Sequence, residues 1–310
     1  MNTVFFGTPE FGAIILEKLI EKNLKPILVV TAPDEPAGRK QLVTPSPVKV
    51  VAQRHTIPVL QPDTLNQDVV FKLREVKAEL FILASYGRII PKEILALASK
   101  GALNVHPSLL PRYRGPSPIQ SVILQGEEKT GVTIILMDED IDHGPILAQR
   151  EFAEHIGEMT QEELKEKLAD VGGDLLVEAV FKWLKGDIAP QPQNHGLATF
   201  TKKMSKEDGK IDWKGEALYI ARQIRAFNPW PGTFTFWNSR LLKILKASIV
   251  DSPGYDSFAP GSMFSLKGKP VVATGNGALM LERIQLEGKN PVSARDFLLG
   301  HKDFIEAKLS

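Results

Sequence analysis

The chain has 310 residues, 43% apolar and 24% charged, with a net charge of +1, which is the composition of a globular protein able to bury the cores of two ordinary domains. No apolar run reaches the eighteen residues of a membrane span, and no basic-then-apolar leader opens the chain. The absence of cysteine excludes a disulfide framework, a thiolate nucleophile and cysteine-held zinc or iron–sulfur sites.

In chain order, Thr3–Phe6, Ile27–Thr31, Leu80–Ala84 and Ala102–Val105 are short apolar runs bounded by polar or turn residues, and are expected as buried strands. Between them Pro9–Glu21, Pro47–Arg54, Asp63–Val76 and Pro91–Ala98 carry helical spacing, with proline suited to a first turn. Alternation of this kind predicts an α/β domain with a Rossmann-like, mostly parallel sheet, to which Thr133–Met137 and Pro145–Phe152 add later strands. Thr160 and Glu163 have capping-box spacing, and Leu164, Leu168, Val171, Leu175, Ala179 and Trp183 form one apolar stripe of a long helix.

Gly186–Gln193 breaks that period. Residues 1–186 are therefore expected as one domain, 187–206 as an extended linker carrying Lys202, Lys203 and Lys206, and 207–310 as a second domain. The second domain begins with a helix at Gly215–Phe227, followed by strands at Leu241–Val250, Gly261–Ser265, Pro270–Thr274 and Ala278–Leu286. Asn276-Gly277 marks a hairpin, and short strands at this spacing predict a small OB-like β-barrel. Residues 207–310 hold 14 Lys+Arg against 11 Asp+Glu (+3), leaving −2 for the remainder. That asymmetry suits either a solvated surface or a polyanionic partner.

The chemistry concentrates in Gly101-Ala-Leu-Asn-Val-His-Pro-Ser-Leu-Leu-Pro-Arg-Tyr-Arg-Gly115. Asn104 and His106, two apart on a strand, leave the same face at its carboxyl end, where open α/β sheets bind ligands. An amide and an imidazole converging there can hydrogen-bond a developing oxyanion and manage a proton. Met137-Asp-Glu-Asp-Ile-Asp-His-Gly-Pro145 adds four acids in a loop, and Asp142, closing the acidic run, is the candidate to orient His106. Turn or core roles for Asn104 and His106 remain open at this point, as does a solvated or cation-binding acidic loop. No nucleophile elbow, Walker loop or HExxH is present, and Gly7-Thr-Pro-Glu-Phe-Gly12 is not a dinucleotide fingerprint.

Asn104-Val-His106, Ser108-Leu-Leu-Pro-Arg-Tyr-Arg-Gly115 and Asp142 resemble the 10-formyltetrahydrofolate-dependent formyltransferases. Four further segments resemble the branch of that family that formylates methionyl initiator tRNA: Phe6–Phe11, Pro33–Arg39, Ser205–Trp213 and Ile224–Gly232. The resemblance implies Asn104, His106 and Asp142 as the catalytic set and 10-formyltetrahydrofolate as formyl donor, with no metal. It places Ser108, Leu109, Leu110 and Pro111, together with Tyr86, Gly87, Ile89, Ile90 and Leu95, on the folate side. It also implies tRNA contacts from Arg39 and Lys40 in the long loop 32–46, from Lys202, Lys203 and Lys206, and from Arg222 and Arg225. A cytoplasmic monomer is expected, with a formyltransferase for an amino sugar or other small amine as the alternative. Glu35, Pro107 and His143 depart from what relatives often carry.

Overall fold

The computed structural model describes residues 2–37, 42–250 and 258–310, and contacts divide the chain into two compact units. The first comprises Met1–Pro118, Lys129–Glu154 and Leu164–Lys202; the second comprises Ile119–Glu128, His155–Glu163 and Lys203–Ser310.

Along the first part of the chain run β1 (Thr3–Gly7), α1 (Glu10–Glu21), β2 (Leu28–Val30), β3 (Glu35–Ala37), β4 (Leu42–Thr44), α2 (Pro47–Arg54), β5 (Val59–Leu60), α3 (Gln67–Val76), β6 (Leu80–Ala84), α4 (Lys92–Leu95) and β7 (Ala102–His106). There follow α5 (Pro118–Gln125), β8 (Thr130–Leu136), β9 (Ile146–Phe152) and α6 (Gln161–Lys185). Seven strands form one sheet in the order β5-β2-β1-β6-β7-β8-β9, parallel as far as β7, with β8 and β9 antiparallel. The mostly parallel sheet expected from alternation is present. β1 and β6 are mostly apolar, as strands covered on both faces are, and every residue of the two is buried.

The strand order reverses between β1 and β6, the place where an open α/β sheet leaves a crevice at its carboxyl ends. Thr8 knits the three loops there: its hydroxyl donates to the Tyr86 carbonyl and accepts from the Thr31 hydroxyl and the Ala32 amide. Part of loop 32–46 is a two-stranded ribbon of β3 and β4 instead of irregular chain. Pro36 fits there because an edge strand needs no N–H from it. Arg39 and Lys40 lie outside the described residues. Helix α5 was not anticipated. Ile119, Val122 and Ile123 do have helical spacing and are buried, but eight residues are too few for the period to stand out.

The second unit's longest continuous stretch holds α7 (Ala217–Phe227), β10 (Phe234–Trp237), β11 (Arg240–Ile249), β12 (Met263–Leu266), β13 (Lys269–Ala273), β14 (Ala278–Leu286), β15 (Val292–Ser293) and α8 (Ala294–Gly300). The antiparallel order is β10-β11-β14-β13-β12, with β15 beside β14. Residues 307–310 bond to both edges of this path. Phe236 and Ser310 exchange backbone hydrogen bonds at 2.8 and 3.2 Å, while Met263 donates to Ala307 and Leu309 to Gly261. The sheet is thereby curled into an OB-like half-barrel whose edges are covered. Leu242, Ile244, Leu279, Ile284 and Phe304 fill it. Asn276-Gly277 makes the expected β13–β14 hairpin, with Gly277 at φ +84°. Among the described residues no helix is long and apolar enough to cross a membrane.

Candidate active site

β7 delivers Asn104 and His106 as the period of a strand requires. It lies between β6 and β8, and His106 stands opposite Thr133 of β8. Because β8 runs antiparallel, its end at Leu136 lies beside Leu103, near the start of β7. The acidic loop must therefore fold back across β7 to reach the catalytic end, and it does so at Asp142, whose φ is +49°. A short polar side chain is among the few non-glycine types that tolerate this conformation.

Asp142 gathers the site. Its Oδ1 accepts from Asn104 Nδ2 at 3.2 Å and lies 3.4 Å from His106 Nδ1, while its Oδ2 accepts from the Gly115 amide at 2.8 Å. His106 is only 4% exposed, and its Nε2 lies 2.9 Å from the Tyr113 carbonyl oxygen. Both ring nitrogens thus face oxygen acceptors. A neutral imidazole can donate to one of them and an imidazolium to both. Asn104 has a second Nδ2 hydrogen beyond the one given to Asp142, and it lies in an environment where a fixed dipole is worth more than in water.

The loop after β7 is tied down from inside. The Thr133 hydroxyl donates to the Ser108 carbonyl and accepts from the Leu110 amide, and Gln149 Nε2 donates to the Leu110 carbonyl. The Ser108 hydroxyl donates to the Arg112 carbonyl. Leu110 is buried, and Leu109 packs against Gly131. Most backbone polar groups of Ser108–Pro111 are therefore already bonded within the protein, to β8, β9 and residue 199, which leaves Leu109 and Pro111 as the loop's partly exposed surface.

The Ser85–Ile90 loop, after β6 at the switch point, is different. Ser85 and Gly87 have φ of +52° and +77°, and the amides of Gly87, Ile89 and Ile90 donate to nothing among the described residues. Ile89 is 74% exposed while Ile90 is buried beside half-buried Leu95. Tyr86 packs edge-on against Phe6. Burial pushes its phenol pKa up, with nearby Arg88 opposing, and among the described residues the buried hydroxyl has no hydrogen-bond partner in normal geometry. Free donors, an orphaned hydroxyl and an exposed aliphatic side chain together fit the edge and face of a flat heterocycle.

The full chain matches the formyl transferase family over residues 1–180 and that family's C-terminal domain over residues 203–302. A methionyl-tRNA formyltransferase of Chloroflexus aurantiacus is 42% identical over 313 residues, covering 98% of this chain and 99% of its own. The chain belongs to the formyl transferase family.

Two solved structures share the fold of this formyl transferase. The methionyl-tRNA formyltransferase of Clostridium thermocellum superposes with a TM-score of 0.59 at 19% identity, covering 92% of this chain and 98% of its own. The N-formyltransferase of Helicobacter canadensis, complexed with folinic acid and dTDP-3-aminofucose, gives 0.65 at 20% identity over 91% and 98% of the two chains.

Of the basic residues expected to meet tRNA, Lys202, Lys203 and Lys206 of this formyl transferase are exposed. Arg222 and Arg225 are half-buried: the Arg222 guanidinium lies over Gly126, and Arg225 donates to the Met159 carbonyl at 2.8 Å. Burial lowers the Arg225 pKa from its ordinary value. Sequence reasoning missed Thr133, Gly115 and Gln193. Gly115 ended the motif already quoted, so its place was the available signal; Gln193 stood among turn formers and offered none.

Proposed function

We propose that this formyl transferase moves the formyl group of 10-formyltetrahydrofolate onto the α-amine of methionyl initiator tRNA. The observation that carries the reading is Asp142 holding the Asn104 amide and lying within 3.4 Å of the His106 ring at the carboxyl end of β7. The 42% identity to a methionyl-tRNA formyltransferase along its whole length supports the choice of acceptor.

The substrate amine is the nucleophile, so the protein needs none of its own. The unprotonated amine attacks the formyl carbon, and the carbonyl oxygen becomes an oxyanion. Asn104 donates its second Nδ2 hydrogen to that oxygen, and His106 exchanges a protein acceptor for it. Both donors meet charge that exists only in the transition state. Asp142 holds both donors and, through water, relays the proton lost by the amine to N10 as the carbon–N10 bond breaks. Gly87, Ile89 and Ile90, with Tyr86 and Leu95, face the pterin, and Leu109 and Pro111 offer apolar wall beside the reacting end. Residues 1–186 act as the catalytic domain, 187–206 as the connection and 207–310 as the tRNA-binding domain. Lys202, Lys203 and Lys206 contact phosphates, with Arg39 and Lys40 of the 32–46 loop at the acceptor end and Arg222 and Arg225 as further basic contacts. The enzyme works as a cytoplasmic monomer.

The test is formyl transfer to initiator methionyl-tRNA, elongator methionyl-tRNA and a free amino sugar, with wild type and His106→Ala compared. Formylation of the initiator alone, reduced in the variant by about 10²–10³-fold, is the expected result. Transfer to the amino sugar with tRNA left untouched would make the acceptor wrong while keeping the chemistry.

A further inference from the structure

Between Gln191 and Thr201 the chain runs along the catalytic loops as an added strap, all within the first unit. Thr199 and Thr201 bond repeatedly to residues 111–117. The Tyr113 amide donates to the Thr199 hydroxyl at 2.8 Å, the Arg114 amide to the Thr199 carbonyl at 2.8 Å, and the Thr201 amide to the Arg114 carbonyl at 2.7 Å. This is the loop that presents the Tyr113 carbonyl to His106.

Gln193 hydrogen-bonds from the strap to the backbone of the Asp142 loop. It is 5% exposed, so its amide must find all its partners within the protein. It does. Nε2 donates to the Asp142 carbonyl at 2.9 Å and to the Gly144 carbonyl at 2.7 Å. Oε1 accepts from Arg114 Nε at 3.2 Å and Nη2 at 2.6 Å. One amide therefore ties the Asp142 and Gly144 carbonyls, which flank His143, to the residue next to Gly115, whose N–H holds the Asp142 carboxylate. Arg114 is itself buried, and its Nη2 also donates to His195 Nδ1 at 2.9 Å. His195 stacks on His143 at 4.1 Å, and His143 donates to Asp138 at 2.6 Å.

We infer that Gln193 is a positioning residue for formyl transfer. Braced by Arg114, it fixes the left-handed Asp142 turn so that the carboxylate meets Asn104, His106 and the Gly115 amide together. The inference rests on the formyl-transfer reading of the site. A carboxylate whose own main-chain carbonyl is anchored keeps its geometry while charge develops beside it, and small misplacements at such a site cost rate steeply.

Two substitutions separate positioning from mere support. Gln193→Met keeps the volume and removes every hydrogen bond. Gln193→Glu keeps an acceptor, now charged, for Arg114 while turning a carboxylate on the Asp142 and Gly144 carbonyls. Each is compared with wild type for its thermal transition, kcat, KM for both substrates, and the His106 ring resonances by NMR. The expected result is a folded Gln193→Glu whose kcat is down on the order of 10²-fold with both KM values held within about twofold. The His106 resonances are displaced with it. Gln193→Met behaves alike if folded.

Wild-type kcat in either folded variant would overturn the inference. A loss that appears only in KM, or only in proportion to unfolded protein, would do the same, as would unfolding of both variants, which makes Gln193 a folding residue. If wild type itself transfers no formyl group, the functional reading fails, and the His106 resonances still judge the brace.

Discussion

Around Asp142 the geometry depends on two backbone positions that side chains rarely adopt. Asp142 sits at φ +49° and Gly115 at φ +99°. A Cβ on Gly115 would stand 2.8 Å from the Thr201 carbonyl oxygen as well as in a strained conformation. Gly115→Ala is therefore expected to cost about 1–3 kcal/mol of stability and, by moving the N–H that binds Asp142, to lower turnover beyond what unfolding explains. Thermal melts and kcat on the folded fraction check this; unchanged kcat would separate the Gly115 amide from catalysis. Asn104 and His106 were legible because a strand alternates its faces, so two residues two apart must share one. Asp142 was legible among four acids by its place before the His-Gly turn. What holds it was not: Gln193 lies 51 residues further on in a stretch with no period, and only tertiary structure brings an amide back to that carbonyl.

Elements with a strong period came out where expected, and their ends were set by local chemistry. Helix α6 starts at Gln161 behind the Thr160–Glu163 capping box. The Thr160 amide and hydroxyl both donate to Glu163 Oε2 at 2.8 Å, and the Glu163 amide returns to the hydroxyl at 3.4 Å. The apolar stripe buries Leu164, Leu168, Leu175 and Ala179 as read, with Val171 and Trp183 only partly covered. A Cβ on Gly172 would stand 3.0 Å from Val105 and 3.2 Å from Val132, so the helix approaches them more closely than a side chain there readily allows, a packing no periodicity announces.

The Thr160 amide and hydroxyl hold the Glu163 carboxyl below the ordinary 4.5. A depressed carboxylate stabilises above its unfolded value and loses that contribution as pH falls through the lowered one. Thr160→Ala should thus cost about 1 kcal/mol near neutrality and progressively less in acid. Denaturant midpoints at several pH values measure it. An equal cost at low pH would assign the cap to the threonine hydroxyl on the Glu163 amide alone. Short or irregular elements escaped reading for the opposite reason. The β3–β4 ribbon and α5 are too brief for a pattern to exceed chance.

For the whole molecule, the division in space cuts across the order of the chain. Residues 119–128 and 155–163 cluster with 203–310, and Arg225 donates to the Met159 carbonyl within that unit. A chain ending at Lys202 leaves these two segments without partners and exposes buried Ile123 and Ile156. It is expected to melt without cooperativity and to bind a hydrophobic dye. A sharp transition like that of the full chain would mean the first unit holds both segments by itself. The same interlacing has a consequence during synthesis. A chain emerging from the ribosome can fold β1 to β9 and bring Asn104, His106 and Asp142 into one place before Gln193 and Thr199 have been made. The nascent enzyme carries its catalytic side chains first and acquires their clasp only when the strap arrives, so competence trails the sheet by the whole stretch from Phe152 to Gln193.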